Sequence, residues 1–209
     1  MTIEDYIIKH SGGEDPILNE LERETNLKVL MPRMLSGKIQ GKFLEYFSKM
    51  HQVEKILELG TFTGYSAICL AKGLGTSGKL DTIEINEELE KIARKYFAKA
   101  GFENKITLYI GDAIEIIPVL NSEYDLIFID ADKRLYPQYY KLVFDKLKVG
   151  GFILADNVLW GNKVVDKIEE NDLYTKGIIE FNKIVNEDKR VENFIIPERD
   201  GLMIIKKKY

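Results

Sequence analysis

Residues 55–74 read "KILELGTFTGYSAICLAKGL". The apolar side chains of Ile56, Leu57 and Leu59 end at Gly60, and Gly64 opens a run of small and apolar residues with helical spacing. A strand, a tight glycine turn and a helix account for that pattern. It then repeats. "GKLDTIEI" (78–85) reads as a strand and "EELEKIARKYFAKAG" (87–101) as a helix closed by glycine. "KITLYIG" (105–111) is followed by a short helix, "DAIEIIPVL" (112–120). "YDLIFIDA" (124–131) is followed by a helix over 136–150, and "GFILADN" (151–157) is a fifth strand. Strands alternating with helices of this length predict a mostly parallel sheet with right-handed crossovers. The unbroken runs "LIFI" and "FIL" suit strands covered on both faces.

The two ends depart from this rhythm. Residues 1–50 show no strand pattern and predict two or three helices. The clearest covers 36–50, with Ile39, Phe43, Leu44, Phe47 and Met50 at helical spacing. At the other end a helix at about 172–187 precedes "RVENFIIP" (190–197) and "GLMIIKKK" (201–208). These flank Asp200-Gly201 and predict an antiparallel hairpin. The whole chain, 1–209, reads as one α/β domain: helices over 1–50 and a Rossmann-like core over 51–209.

The bulk composition is compatible with that reading. Of 209 residues, 45% are hydrophobic and 31% charged, enough for one packed core. A net charge of -4 argues against a protein whose main work is gripping phosphate backbones. One cysteine, Cys69, sits in an apolar helical run and reads as a core residue. With no signal-peptide pattern at the N-terminus and no apolar run near roughly 18 residues, the expected location is cytoplasmic and no membrane contact is expected.

The first turn, "ELGTFTGYS" (58–66), has neither the Lys-Ser/Thr of a P-loop nor the three glycines of a dinucleotide fingerprint. It is a glycine turn at which a ligand can approach the backbone. Glu84, at the tip of the second strand and 24 residues after Gly60, is placed to accept hydrogen bonds from ribose hydroxyls. "GDA" (111–113) stands at the third tip, where Asp112 suits either a cofactor contact or a helix N-cap.

Together the glycine turn, Glu84, "GDA" and the final hairpin resemble the class I S-adenosylmethionine-dependent methyltransferases. The resemblance implies a mostly parallel seven-stranded sheet ending in an antiparallel hairpin. The fourth strand would lie between the first and the fifth. Asp130, at the end of strand four, and Asp156 and Asn157, at the end of strand five, would then converge beside the cofactor turn. Three oxygen donors suit a hard cation, Mg²⁺, Mn²⁺ or Ca²⁺; helix and loop capping is the other use of such acids.

"ILELGTFTGYSA", "FIDADK" and "DNVLW", in this order and spacing, resemble the cation-dependent O-methyltransferases of the catechol and caffeoyl-CoA group. The resemblance implies that Asp130, Asp156 and Asn157 are metal ligands, with Asp130 and Lys133 catalytic and Lys133 the general base. It implies S-adenosylmethionine contacts at Met34, Glu58, Gly60, Ser66, Glu84, Asp112, Ala113 and Asp130. It also implies a homodimer. The tail "FIIPERDGLMIIKKK" resembles bacterial tRNA 5-hydroxyuridine methyltransferases. The expected acceptor is therefore the wobble base of a tRNA anticodon loop, methylated to 5-methoxyuridine, with Lys206, Lys207, Lys208, Arg33, Lys38 and Arg199 as possible phosphate contacts. The alternative is a small catechol-like metabolite, whose paired oxygens resemble those of the base. A nucleotide-dependent oxidoreductase lacks its glycine fingerprint here, and a non-catalytic nucleoside-binding protein would not need the Asp130/Lys133/Asp156/Asn157 set. Trp160 either stacks on a flat substrate or packs its loop. Asp132 reads as a surface or capping residue.

Overall fold

The computed structural model describes residues 2–13 and 15–209. Three helices come first: α1 (Ile3–His10), α2 (Pro16–Lys28) and α3 (Gly37–Met50). The alternating core follows as β1 (Lys55–Leu59), α4 (Tyr65–Gly73), β2 (Lys79–Glu84), α5 (Glu90–Lys99), β3 (Ile106–Ile110), α6 (Ala113–Val119), β4 (Tyr124–Ile129), α7 (Tyr136–Phe144) and β5 (Leu147–Asp156). It closes with α8 (Leu173–Glu187), β6 (Val191–Ile196) and β7 (Leu202–Lys207). The seven strands lie in the order β3-β2-β1-β4-β5-β7-β6. The first five are parallel, and β7 runs antiparallel to both β5 and β6. The strand order reverses between β1 and β4, so a crevice opens there at the carboxyl ends of the strands.

Alternation along the buried strands divides the core into two layers. Ile56, Leu80, Leu126, Phe128 and Leu154 pack with Leu21 of α2, Leu44 and Phe47 of α3, and Ile68 of α4 on one face. Leu57, Leu59, Ile127, Ile129 and Ile153 pack with Ile117 of α6, Tyr140 of α7, and Ile178 and Phe181 of α8 on the other.

Two expectations are corrected. The helix expected over 136–150 stops at Phe144, and the fifth strand begins at Leu147 rather than Gly151. Val143 and Leu147 are four apart, so an apolar helix pattern runs on unbroken; pairing with β4 overrides it. Tyr124 N donates to Lys146 O at 2.8 Å, and Leu147 pairs with Tyr124. Lys207 Nζ, from β7, then ties the carbonyls of Phe144 (3.0 Å) and Leu147 (2.7 Å). Met50, expected on the apolar face of α3, is exposed at the helix's final residue; Gly41, Leu44 and Phe47 carry the buried face.

The N-terminal helices are fastened to the core by polar contacts near the crevice. Thr25 of α2 donates to Thr63 Oγ1 in the glycine turn (3.1 Å, both buried). Glu24 accepts from Tyr96 Oη of α5 at 2.7 Å, from Lys28 Nζ at 3.0 Å, and from Lys95. These partners, Lys95 foremost, hold the Glu24 carboxyl down at about 2. A carboxylate lowered by folding stabilises fully above its unfolded value near 4.5, and that contribution is lost as the pH falls toward 2. Glu24→Gln is therefore expected to lower the melting temperature at pH 7, with the gap to the wild-type protein closing between pH 4.5 and pH 2. Thermal unfolding across that range checks it, and a gap unchanged at pH 2 would contradict it.

Candidate active site

The tip of β1 meets β4 so closely that residue 60 has no room for a side chain. Gly60 has φ +96, and a Cβ there would lie 2.0 Å from the carbonyl oxygen of Asp130. Glycine alone meets both demands. The turn then bends back over β2. Gly60 N and Thr61 N donate to Ile83 O at 3.0 and 3.2 Å. Phe62 N donates to Glu84 Oε2 at 2.7 Å and Asn86 N to Oε1 at 2.9 Å. Burial pushes the Glu84 carboxyl up, and the amides of Asn86 and Phe62 oppose that shift. Glu84 is thus fixed by backbone, with lone pairs left over for a ribose.

Met34, Gly60, Ser66, Glu84, Asp112, Ala113 and Asp130 all line one cleft at these strand tips. Asp112 also caps α6, accepting from Ile114 N at 2.8 Å, so it serves as a cap while facing the cleft. Glu58 is the exception and corrects the expected cofactor set. It is fully buried beneath the turn and does not line the cleft. Its Oε2 accepts from Thr82 at 2.5 Å, and its Oε1 has no partner. Burial, with the nearby charges of Asp130 and Glu84, pushes this carboxyl up to about 8, so it is neutral at pH 7.

Across the switch point the charged residues converge as expected. Lys133, buried just after β4, donates to Asp130 Oδ1 at 2.7 Å and to Tyr136 Oη at 2.9 Å. Asp156, at the end of β5, is also buried; burial and the charge of Asp130 push it up to about 6. Its Oδ1 accepts from Asn157 N at 2.9 Å and its Oδ2 from Gln40 Nε2 at 2.7 Å. Asn157 has φ +59, a left-handed turn that asparagine tolerates, and it lines the cleft with Asp130, Lys133 and Asp156. Among the described residues no three His, Cys, Asp or Glu side chains cluster for a metal. The donor set is instead two carboxylates and one amide. An all-oxygen set of excess negative charge, partly buried, fits a hard divalent ion better than zinc or a softer metal.

Two residues here were absent from the expectations. Tyr136 is fully buried, and its hydroxyl lies 3.0 Å from both Ile129 O and Asp156 O, joining the tips of β4 and β5 behind Lys133. Its signal was present: "DKRLY" puts Tyr136 one helical turn after Lys133. Gln40 comes from α3, 116 residues from its partner Asp156; no local pattern marks it. Gly177 of α8 packs so tightly that a Cβ would lie 2.4 Å from Lys133 O.

The cleft has a volume of about 1600 Å³. That exceeds the roughly 300–1,000 Å³ of a site for one small ligand, leaving room for two molecules side by side. Its far wall is aromatic. Trp160 stacks on Tyr174, with ring centroids 5.9 Å apart and planes 9° apart, and the Arg134 guanidinium lies 5.0 Å from the Tyr174 ring. Asp132 caps the turn at Arg134 N (3.0 Å) and pairs with the Arg134 side chain. The basic tail lies elsewhere. Leu202 pairs with Asp156 but Lys206 with Phe152, so the lysines sit roughly 13 Å back along β7, toward the opposite end of the sheet. Arg199 does reach the cleft, but its guanidinium is engaged with Gln40 and with the Ser36 carbonyl.

Comparison with known proteins identifies the family. Residues 8–208 match the family described as O-methyltransferase. The chain is 33% identical to a catechol O-methyltransferase of Niastella koreensis, over 97% of this chain and 95% of that protein. It is 31% identical to caffeoyl-CoA O-methyltransferase 2 of Populus trichocarpa, over 97% and 87%. Among solved structures it resembles the O-methyltransferase TomG from Streptomyces achromogenes, involved in tomaymycin synthesis and solved in complex with SAM (TM-score 0.93, 27% identity, 99% and 96% covered). An O-methyltransferase from Bacillus cereus in complex with SAH is similar (TM-score 0.90, 28% identity, 99% and 97% covered). The chain belongs to the O-methyltransferase family and has its Rossmann-like fold.

Tyr136→Phe removes the hydroxyl that serves two backbone carbonyls and Lys133 in a buried site. Unsatisfied buried polar groups of this kind cost about 1–3 kcal/mol. A loss of that size in urea unfolding at pH 7 is expected, and a stability equal to the wild type would show that water replaces the hydroxyl.

Proposed function

We propose that this O-methyltransferase transfers a methyl group from S-adenosylmethionine to one hydroxyl of a small catechol-like phenol, with a divalent cation at Asp130, Asp156 and Asn157. The observation that carries the reading is that Asp130, Asp156 and Asn157, two carboxylates and an amide, meet buried Lys133 on one cleft at the switch point, beside an aromatic wall.

Each residue has a task that follows from its place. Glu84, fixed by Phe62 N and Asn86 N, orients the nucleoside through its ribose. The glycine turn lets the cofactor lie against backbone, and Met34, Asp112 and Ala113 face the remainder of that half of the cleft. Trp160 and Tyr174 offer a flat surface against which an aromatic acceptor stacks. Mg²⁺, with Mn²⁺ or Ca²⁺ able to replace it, would supply a positive charge that makes the acceptor hydroxyl more acidic. Lys133 Nζ, in its neutral amine form, receives the proton of that hydroxyl and becomes the ammonium that pairs with Asp130. Asp130 and Tyr136 hold the nitrogen in place, so its direction is set before the acceptor arrives. Burial of Lys133 keeps bulk water from competing for the proton. Positioning of this kind contributes up to roughly 7–11 kcal/mol in favourable cases.

The tRNA acceptor is not carried forward. The tail whose likeness to tRNA methyltransferases raised it puts Lys206–Lys208 back along β7, and Arg199 Nη1 is engaged with Gln40 and Ser36; Lys38 Nζ is engaged with Ile8 O, and Arg33 alone of the other expected phosphate contacts lines the cleft. The relatives named above carry catechol and caffeoyl-CoA in their names, and the aromatic wall suits such rings.

The test offers methyl-labelled S-adenosylmethionine and Mg²⁺ with catechol or caffeoyl-CoA, and in parallel tRNA lacking 5-methoxyuridine. Label is expected in a phenol, to be lost with EDTA and restored by Mg²⁺. Label in the tRNA alone would overturn the acceptor, and full activity in EDTA with no metal retained would overturn the cation. Lys133→Met is expected to slow turnover by about 10²–10⁴-fold, the range for a general base, with S-adenosylmethionine affinity largely unchanged. Turnover within a few-fold of wild type would remove Lys133 from the role of base.

A further inference from the structure

A chain of three side chains runs from the final hairpin to Asp156. Arg199, in the turn between β6 and β7, donates through Nη1 to Gln40 Oε1 at 2.9 Å and to the Ser36 carbonyl. Gln40, on α3 and only 3% exposed, donates through Nε2 to Asp156 Oδ2 at 2.7 Å. The chemistry permits one arrangement. A guanidinium has only donors, so it must face the amide oxygen; an ionised carboxylate only accepts, so it must face the amide nitrogen. Arg199 and Asp156 therefore impose the same orientation on Gln40.

The far oxygen of Asp156 is fixed from another side, by Asn157 N at 2.9 Å. Each carboxylate oxygen thus takes one hydrogen bond from the protein, and the group cannot rotate without losing both. The lone pairs that remain have set directions. We infer that Gln40 and Arg199 are positioning residues that fix the Asp156 carboxylate for a divalent cation, so that the N-terminal helices and the C-terminal hairpin jointly set the metal affinity of the strand tips. The inference rests on the cation reading above. It adds two residues that touch no cation themselves, one from each of the two segments flanking the alternating core. Partners of this kind typically change metal affinity by about 10–100-fold when removed.

The test measures Mn²⁺ binding by electron paramagnetic resonance, on full-length protein without acceptor, for wild type, Gln40→Leu, Arg199→Met, Arg199→Lys and Asp156→Ala. Wild type is expected to bind Mn²⁺ and Asp156→Ala to lose it. Gln40→Leu is expected to weaken binding at least tenfold while keeping the wild-type circular dichroism spectrum and S-adenosylmethionine affinity. Arg199→Met is expected to weaken it severalfold, because the amide is then free to flip, and Arg199→Lys, which retains a donor, is expected to recover much of that loss. Arg199 is exposed, so its variants carry the test if Gln40→Leu does not fold. Mn²⁺ affinity within twofold of wild type in folded Gln40→Leu or in Arg199→Met would overturn the inference while leaving the cation reading intact. A wild-type protein that binds no better than Asp156→Ala would overturn both.

Discussion

The carbonyl oxygen of Asp130 stands where a side chain at residue 60 would have to be. That single crowding joins the two halves of the molecule. It brings β1 and β4 together at the point where strand order reverses, and places the glycine turn directly beside the acid at the tip of β4, both on one cleft. The N–H of Asp130 donates to Leu59 O at 2.9 Å, so the ladder continues to the very edge of the site. Because the backbone itself makes the contact, the separation of the cofactor half from the acceptor half is as rigid as the sheet. Rigid separation is what an in-line transfer between two bound molecules requires.

The charges at the strand tips are balanced locally rather than by the protein's overall charge. Asp130, Lys133, Asp156 and the neutral-leaning Glu58 lie within one buried region, each constrained by a named partner. Glu58 illustrates the point: a third ionised carboxylate beneath the turn would add to the repulsion between Asp130 and Asp156. Burial keeps it protonated at neutral pH instead. The site thus has two carboxylates available for ligation from three acids crowded together.

How far the sequence shows this depends on distance along the chain. Strand–turn–helix units are local, so the five parallel strands and most of their boundaries were legible, and the tips at Gly60, Glu84, Asp112, Asp130 and Asp156 followed from them. Lys133 was singled out by the family resemblance, and Asp132, read as a surface or capping residue, caps the turn at Arg134. The boundary at 144–147 was not legible, because Val143 and Leu147 keep helical spacing across a real strand start and only pairing with Tyr124 decides it. Gln40 was missed as a site residue, and Arg199 was expected at phosphate rather than at Gln40, because the partners lie 116 and 159 residues apart in the chain. Glu58 was placed in the cofactor set on motif position; the alternation of a strand sends its side chain under the turn.

Helix α8 performs two tasks on consecutive turns. Tyr174 forms the aromatic wall of the acceptor half, and Gly177 lets the helix backbone rest against the carbonyl of Lys133. The helix therefore cannot be shifted outward without withdrawing its backbone from the carbonyl of Lys133, nor inward without a clash. Acceptor range in this protein can diverge through the side chain at 174 and through the loop from 160 to 172, while the helix axis stays put. Variation in what is methylated is in this way separated from the strand-tip site, and a library built on those loop positions would explore new acceptors with the surroundings of Lys133 unchanged.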